Sequence, residues 1–85
     1  MQQLTDLGVS IIYLRNIKTK CQDEKFQYCL FKSVHQNIVI PVINYYCLHT
    51  LDDVIRLNFL VDSNSLDTYI EVLTTLHKRL LSIFK

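Results

Sequence analysis

A helix is predicted most clearly by residues 62–84, whose sequence is DSNSLDTYIEVLTTLHKRLLSIF. The first four residues are types that commonly precede a helix, because their side chains accept hydrogen bonds from its first free N–H groups. Apolar residues then recur at steps of three and four, which places them on one helical face. This face comprises Leu66, Tyr69, Leu73, Leu76, Leu80 and Ile83, widened by Ile70, Leu81 and Phe84. We therefore predict a long core-facing helix over residues 65–84.

Before this helix, the sequence indicates strands. Val, Ile, Tyr and Phe are concentrated in four segments with period-two alternation, residues 8–15, 25–34, 38–47 and 54–61. Pro41 cannot donate a hydrogen bond to a ladder, so we expect the third strand to lie at a sheet edge or to carry a bulge at this position. The fourth segment also admits a helix, because Thr50 and Asp53 have the spacing of a capping box.

The expected fold class is α+β. A chain of 85 residues has room for one two-layer core, so residues 1–85 are predicted to form a single small domain. An antiparallel sheet of about four strands would pack against the long C-terminal helix.

One helix covers only one face of such a sheet, and the other predicted face is also apolar. Antiparallel sheets usually turn a polar face to water, and a large exposed apolar patch indicates a binding surface. The candidate interface residues are Phe31, Val39, Ile43 and Tyr45, with Phe31 and Tyr45 as aromatic anchors. The chain is therefore predicted to be a non-enzymatic protein–protein interaction module, either a homodimer or a small subunit of a multiprotein complex.

The charge balance does not favour nucleic acid or an anionic membrane as the partner. Nine Lys and Arg stand against eight Asp and Glu, for a net charge of +1. One alternative stays open, a small nucleic-acid-binding module using Lys25, Phe26, Tyr28 and Lys32 on a strand. Another is a virus-encoded accessory protein that binds a host factor. The absence of Ala and Trp indicates an A+T-rich gene, and this composition permits such an origin.

No residue is assigned to catalysis, to a cofactor or to a metal. The single glycine, Gly8, excludes a Gly-rich phosphate-binding loop. Possible ligands are spread over Cys21, Cys29, His35, Cys47 and His49, of which only the last two are near one another. Structural zinc sites usually show paired ligand spacing, which is missing here.

The odd cysteine count favours reduced thiols in an intracellular compartment, the cytoplasm or the nucleus. The first residues lack the basic start and apolar run of a signal peptide. We expect no membrane span, since the longest uncharged run, residues 33–51, contains Pro41 and several polar side chains.

Two resemblances agree with an assembly role. Residues 54–84, a hydrophobic segment followed by Asp62-Ser63-Asn64-Ser65 and a long apolar helix, resemble the second half of longin-type trafficking subunits. Those folds carry a helix after their second strand, which the sequence does not predict. The order of strands followed by a helix is also similar to RWD-type heads of kinetochore proteins. Both resemblances imply a non-catalytic assembly module.

Overall fold

A computed structural model of the chain describes residues 2–83. Its elements are α1 (Gln2–Lys20), α2 (Glu24–Val34), a π-helical segment (His35–Val39), α3 (Ile40–Tyr45), α4 (Asp52–Asp62) and α5 (Leu66–Ile83). The second to fourth elements follow one another without a break, so residues 24–45 form one long helix. The architecture is therefore a four-helix, all-α fold.

The α+β prediction is wrong, because residues 2–83 contain no strand and no sheet. Residues 8–15 lie in α1, residues 25–34 lie in α2, and residues 54–61 lie in α4. Residues 38–47 run from the end of the π segment through α3 into the turn after it. The resemblances to longin-type and RWD-type folds fail with the sheet that both require.

Helical spacing within these segments explains the correction. The buried residues of α4 are Val54, Leu57 and Val61, at steps of three and four. Of its other apolar residues, Ile55 and Phe59 are exposed and Leu60 is partly buried, so the alternation in the sequence does not separate core from surface. Burial of a helical face outweighs the weak strand preference of β-branched and aromatic side chains.

The C-terminal helix is present from Leu66 to Ile83. Its predicted inward face is buried at Leu66, Tyr69, Ile70, Leu73, Leu76 and Leu80. Ile83 and Leu81 are instead exposed, and Phe84 lies outside the described residues.

The core lies between α1, α5 and the long helix, and α4 packs on α5. Helix α1 contributes a stripe at steps of three and four, formed by Leu4, Leu7, Ile11, Leu14 and Ile17. Burying each such side chain stabilises the fold by roughly 1.5–3 kcal/mol before entropy is counted. These packed stripes, and not backbone preference, fix the helices in place.

Two helices end in the same hydrogen-bonding motif. After α3, Cys47 N–H donates to the Asn44 carbonyl and Leu48 N–H to that of Ile43, while Cys47 adopts a φ of 56°. After α4, Asn64 has a φ of 55°, and the corresponding bonds run from Asn64 and Ser65 back into the last turn. This is the Schellman arrangement, whose left-handed residue is most often Gly.

Helix starts differ from the prediction at α4. Asp52 is its first residue and Leu51 its N-cap, so Thr50 does not cap it. At α2, by contrast, the Asp23 carboxylate accepts hydrogen bonds from the backbone N–H groups of Lys25 and Phe26, at 3.0 and 3.2 Å.

The π segment accommodates Pro41 within the long helix. Ile40 N–H donates to the His35 carbonyl, five residues back, immediately before the proline. Proline lacks an N–H and its ring crowds the carbonyl four residues earlier, so an ordinary α-turn is costly there. The wider π turn relieves that crowding. Pro41 therefore marks a change of helix type, and the strand predicted for it is absent.

Candidate functional site

The candidate site is an apolar surface on α1. Val9 and Ile12 are 56 % and 61 % exposed and lie one helical turn apart, forming what we term the α1 ridge. Both residues point away from the buried stripe of the same helix. Apolar residues outside a core stripe are the signal that could have identified this surface, but the strand interpretation of residues 8–15 concealed it.

A first groove separates the ridge from the long helix. It has a volume of about 500 Å³ and is lined mainly by α1, the π segment and α3. Its apolar walls come from Val9, Ile38, Pro41, Val42 and Tyr45, with Gln3, Asp6 and Asn37 as polar rim.

A second groove lies on the other side of the ridge, between α1 and α5. Its volume is about 520 Å³, and Val9, Ile12 and Leu81 contribute apolar walls. Its floor includes Gly8, where an added Cβ would lie 3.2 Å from Cε1 of His77. His77 Nε2 donates a hydrogen bond to the Leu4 carbonyl at 3.0 Å, so this ring lies in the contact between α5 and α1.

The structure separates the four predicted interface residues. Phe31, Val39 and Ile43 lie in the core with at most 2 % exposure, so they are not available on the surface of the folded chain. Tyr45 is 63 % exposed and lines the first groove. The physical reason is the helical backbone, which turns the first three inward where a sheet would have placed all four on one face.

A buried polar network lies in the interior, apart from the residues that line the grooves. His35, in the first turn of the π segment, is 6 % exposed and bonds two other helices. Its Nδ1 lies 2.8 Å from the hydroxyl oxygen of Tyr69 on α5, and its Nε2 lies 3.0 Å from Oδ1 of Asn58 on α4. Because Oδ1 only accepts, Nε2 carries the proton, and Nδ1 accepts from the Tyr69 hydroxyl. We call these three side chains the His35 network.

Burial controls the protonation of this network. Desolvation lowers the pKa of His35 below its ordinary value of 6.5, against the smaller raising effects of the Asn58 hydrogen bond and the Asp62 carboxylate. Burial also raises the pKa of Tyr69, so its hydroxyl keeps its proton. The network is therefore neutral at pH 7, and both imidazole nitrogens are satisfied.

The remaining chemical groups do not converge. Cys29 and Cys47 are exposed and Cys21 is partly buried, all as free thiols. Within residues 2–83, no group of three or more His, Cys, Asp or Glu side chains is placed to hold a metal ion. In the same part of the chain, no helix is long and apolar enough to cross a membrane.

The residues of the nucleic-acid alternative lie on α2. The Lys32 ammonium lies over the Tyr28 ring at 5.2 Å, and that ring also packs edge-on against Phe31. The strand on which bases would have stacked is absent from the described residues.

Comparisons of the chain with protein-family models, curated proteins and solved structures gave no match.

Proposed function

We propose that this chain is a non-enzymatic protein–protein interaction module that binds a second copy of itself through the α1 ridge and its flanking grooves. The observation that carries the proposal is the exposure of Val9 and Ile12, both more than half accessible, between two concave apolar surfaces. Removing such side chains from water favours association by roughly 25 cal/mol per Å² of apolar surface, before the costs of binding.

Self-association is favoured by the shape of this face. A symmetric dimer uses the same patch on both copies, so the patch must be complementary to itself. A projecting ridge beside a groove meets this condition, because the ridge of each copy can enter a groove of the other. Tyr45 adds an aromatic side chain at the groove edge, of a kind that often contributes strongly to binding.

The charge of the chain does not oppose this contact. The net charge is +1, so two copies repel each other little. Among residues 2–83, Asp6 is the only charged residue that lines the first groove, and Arg15 is the only one that lines the second. Neither groove therefore concentrates like charges that would keep two copies apart.

The test is the solution mass by light scattering across a concentration series, for the wild type and two matched variants. Ile12→Asp places a charge on the ridge. Phe59→Asp places the same charge at a comparably exposed site on α4 that lines neither groove. We expect a wild-type dimer, weakened at least tenfold by Ile12→Asp, a loss of about 1.4 kcal/mol or more, and unchanged by Phe59→Asp.

Circular dichroism of both variants checks that the helices are retained. A wild-type chain that stays monomeric up to its solubility limit would overturn the proposal. A dimer that tolerates Ile12→Asp as well as it tolerates Phe59→Asp would also overturn it, because the contact would then lie elsewhere.

A further inference from the structure

The His35 network connects three helices through one titratable ring. His35 belongs to the long helix, Tyr69 to α5 and Asn58 to α4. Among the described residues, the bond between His35 and Asn58 is the only side-chain hydrogen bond that joins the long helix to α4. Loss of the network would therefore act on the docking of α4 as well as on the core.

Protonation is incompatible with the present arrangement. The neutral ring donates from Nε2 and accepts at Nδ1, and a proton on Nδ1 would face the hydroxyl proton of Tyr69. To relieve this, the hydroxyl would have to rotate and accept, which would leave its own proton without an acceptor. Its only hydrogen bond among residues 2–83 is the one to His35. The added charge would also lie against the buried rings and side chains of the core.

The surrounding charges do not compensate. Asp62 of α4 favours the protonated ring, but its effect is smaller than that of burial. Among the described residues of α5, the group that contacts the ring is the Tyr69 hydroxyl. The carboxylate of Asp6 on α1 lines the first groove with Asn37 and Ile38 and is not among the groups that shift the pKa of His35. On its own helix, the nearby Lys32 ammonium lies over the Tyr28 ring and does not neutralise a charge on His35.

A proton can nevertheless reach the ring. Asn58 is exposed, so the Nε2 side of the network lies close to solvent, while the Tyr69 side is fully buried. The adjoining π turn is a wider and rarer form of helix, and such turns are frequent at functional sites.

We propose that the His35 network is an acid-sensitive device that holds α4 and the long helix against α5 at neutral pH and releases them when the ring is protonated. It does not depend on the proposed dimer. The unfolded chain binds the proton more readily than the folded chain, so stability is complete above pH 6.5 and falls as the pH drops below that value. The loss of stability ends once the pH is below the pKa of His35 in the folded chain. Within this window the unfolding equilibrium constant rises by up to about tenfold per pH unit.

The experiment is denaturant unfolding of the full chain from pH 7.5 to 4.5 (about the range in which His titrates), with three variants. His35→Gln removes the titrating ring, and His49→Gln removes an exposed one as a matched control. Asn58→Asp places a carboxylate against Nε2, which stabilises the protonated ring. We expect the acid-dependent loss to vanish in His35→Gln, to persist in His49→Gln and to shrink in Asn58→Asp.

An NMR titration of the His35 ring in the wild-type chain supplies a measurement that needs no variant to fold. The expected result is a midpoint below 6.5, together with a change in the Tyr69 ring signals over the same pH range. A midpoint at or above 6.5 would overturn the proposal, and so would a pH dependence that is the same in Asn58→Asp as in the wild type. A pH dependence retained in a folded His35→Gln chain would assign the effect to another group and overturn it as well.

Discussion

Phe31 packs edge-on against Tyr69, with ring centroids 4.6 Å apart, and both side chains are fully buried. Such a pair contributes about 0.5–1.5 kcal/mol beyond the area that it buries. The hydroxyl of the same Tyr69 bonds His35, so apolar packing and the buried polar network meet at one residue. The contact joins α2 to α5 at the centre of the core.

Phe31→Ala should therefore destabilise the fold severely. We expect a loss of about 3–5 kcal/mol, because the large cavity would be lined by Tyr69 and its neighbours. The measurement is the free energy of unfolding by denaturant, followed by circular dichroism. Phe59→Ala is the control, since that ring is exposed and lines neither groove of the proposed contact, and it should change stability by no more than about 0.5 kcal/mol. Equal effects at the two positions would contradict the assignment of Phe31 to the core.

Cys47→Gly should stabilise the chain by about 1 kcal/mol, because Cys47 occupies a left-handed conformation that Gly adopts without a Cβ penalty. Thermal unfolding under reducing conditions measures the gain. Cys47→Ala separates the backbone effect from loss of the thiol and should give no such gain. If both variants are equally stable, the left-handed conformation is not the cause.

Asp23→Ala should cost about 1 kcal/mol, because it leaves two N–H groups at the start of α2 without their side-chain acceptor. Asp23→Asn keeps an acceptor oxygen and should retain most of the stability. Both are measured by denaturant unfolding at pH 7. An Asn variant as unstable as the Ala variant would indicate that the charge, and not the cap, is responsible.

Gly8→Ala tests how closely α1 and α5 pack. Replacing a Gly inside a helix by Ala should gain about 1 kcal/mol. Here the new Cβ would lie 3.2 Å from Cε1 of His77, whose ring is held by its bond to Leu4. We expect a smaller gain or a loss in the wild-type background.

A double-mutant cycle isolates this contact. In a His77→Ala background, Gly8→Ala should recover the gain of about 1 kcal/mol, giving a coupling of at least ~0.5 kcal/mol. Denaturant unfolding of the four proteins measures it. The same effect of Gly8→Ala in both backgrounds would show that the His77 ring does not limit the approach.

The apolar surface could not be located from the sequence. Tyr45 alone among the predicted interface residues is exposed, while Phe31, Val39 and Ile43 are buried. The error followed from the backbone period. Residues two apart lie on the same face of a strand, but they point in widely different directions on a helix with 3.6 residues per turn. Val9 and Ile12 are recognisable in the sequence as apolar residues, but their exposure depends on which face of α1 packs against the core.

The sequence by itself determined the C-terminal helix. Leu66, Tyr69, Leu73, Leu76 and Leu80 repeat at three and four over several turns, and a strand has no such period. Over residues 8–61 the apolar residues are dense enough to satisfy both periods, so the local pattern does not choose between them. The buried stripe of α1 includes Leu4, Leu7, Ile11 and Leu14. Its helical period is recognisable in the sequence only when residues before the alternating segment 8–15 are considered together with it.

Tertiary structure decided the rest. Only the packing of α1, α4 and the long helix against α5 makes the helical stripes more favourable than strands, because helix formation depends on burying a face. It also brings His35, Asn58 and Tyr69 together from positions 23 and 34 residues apart along the chain, a relation that no local pattern contains. The sequence supplied the apolar residues, and long-range packing decided which of them became core and which became surface.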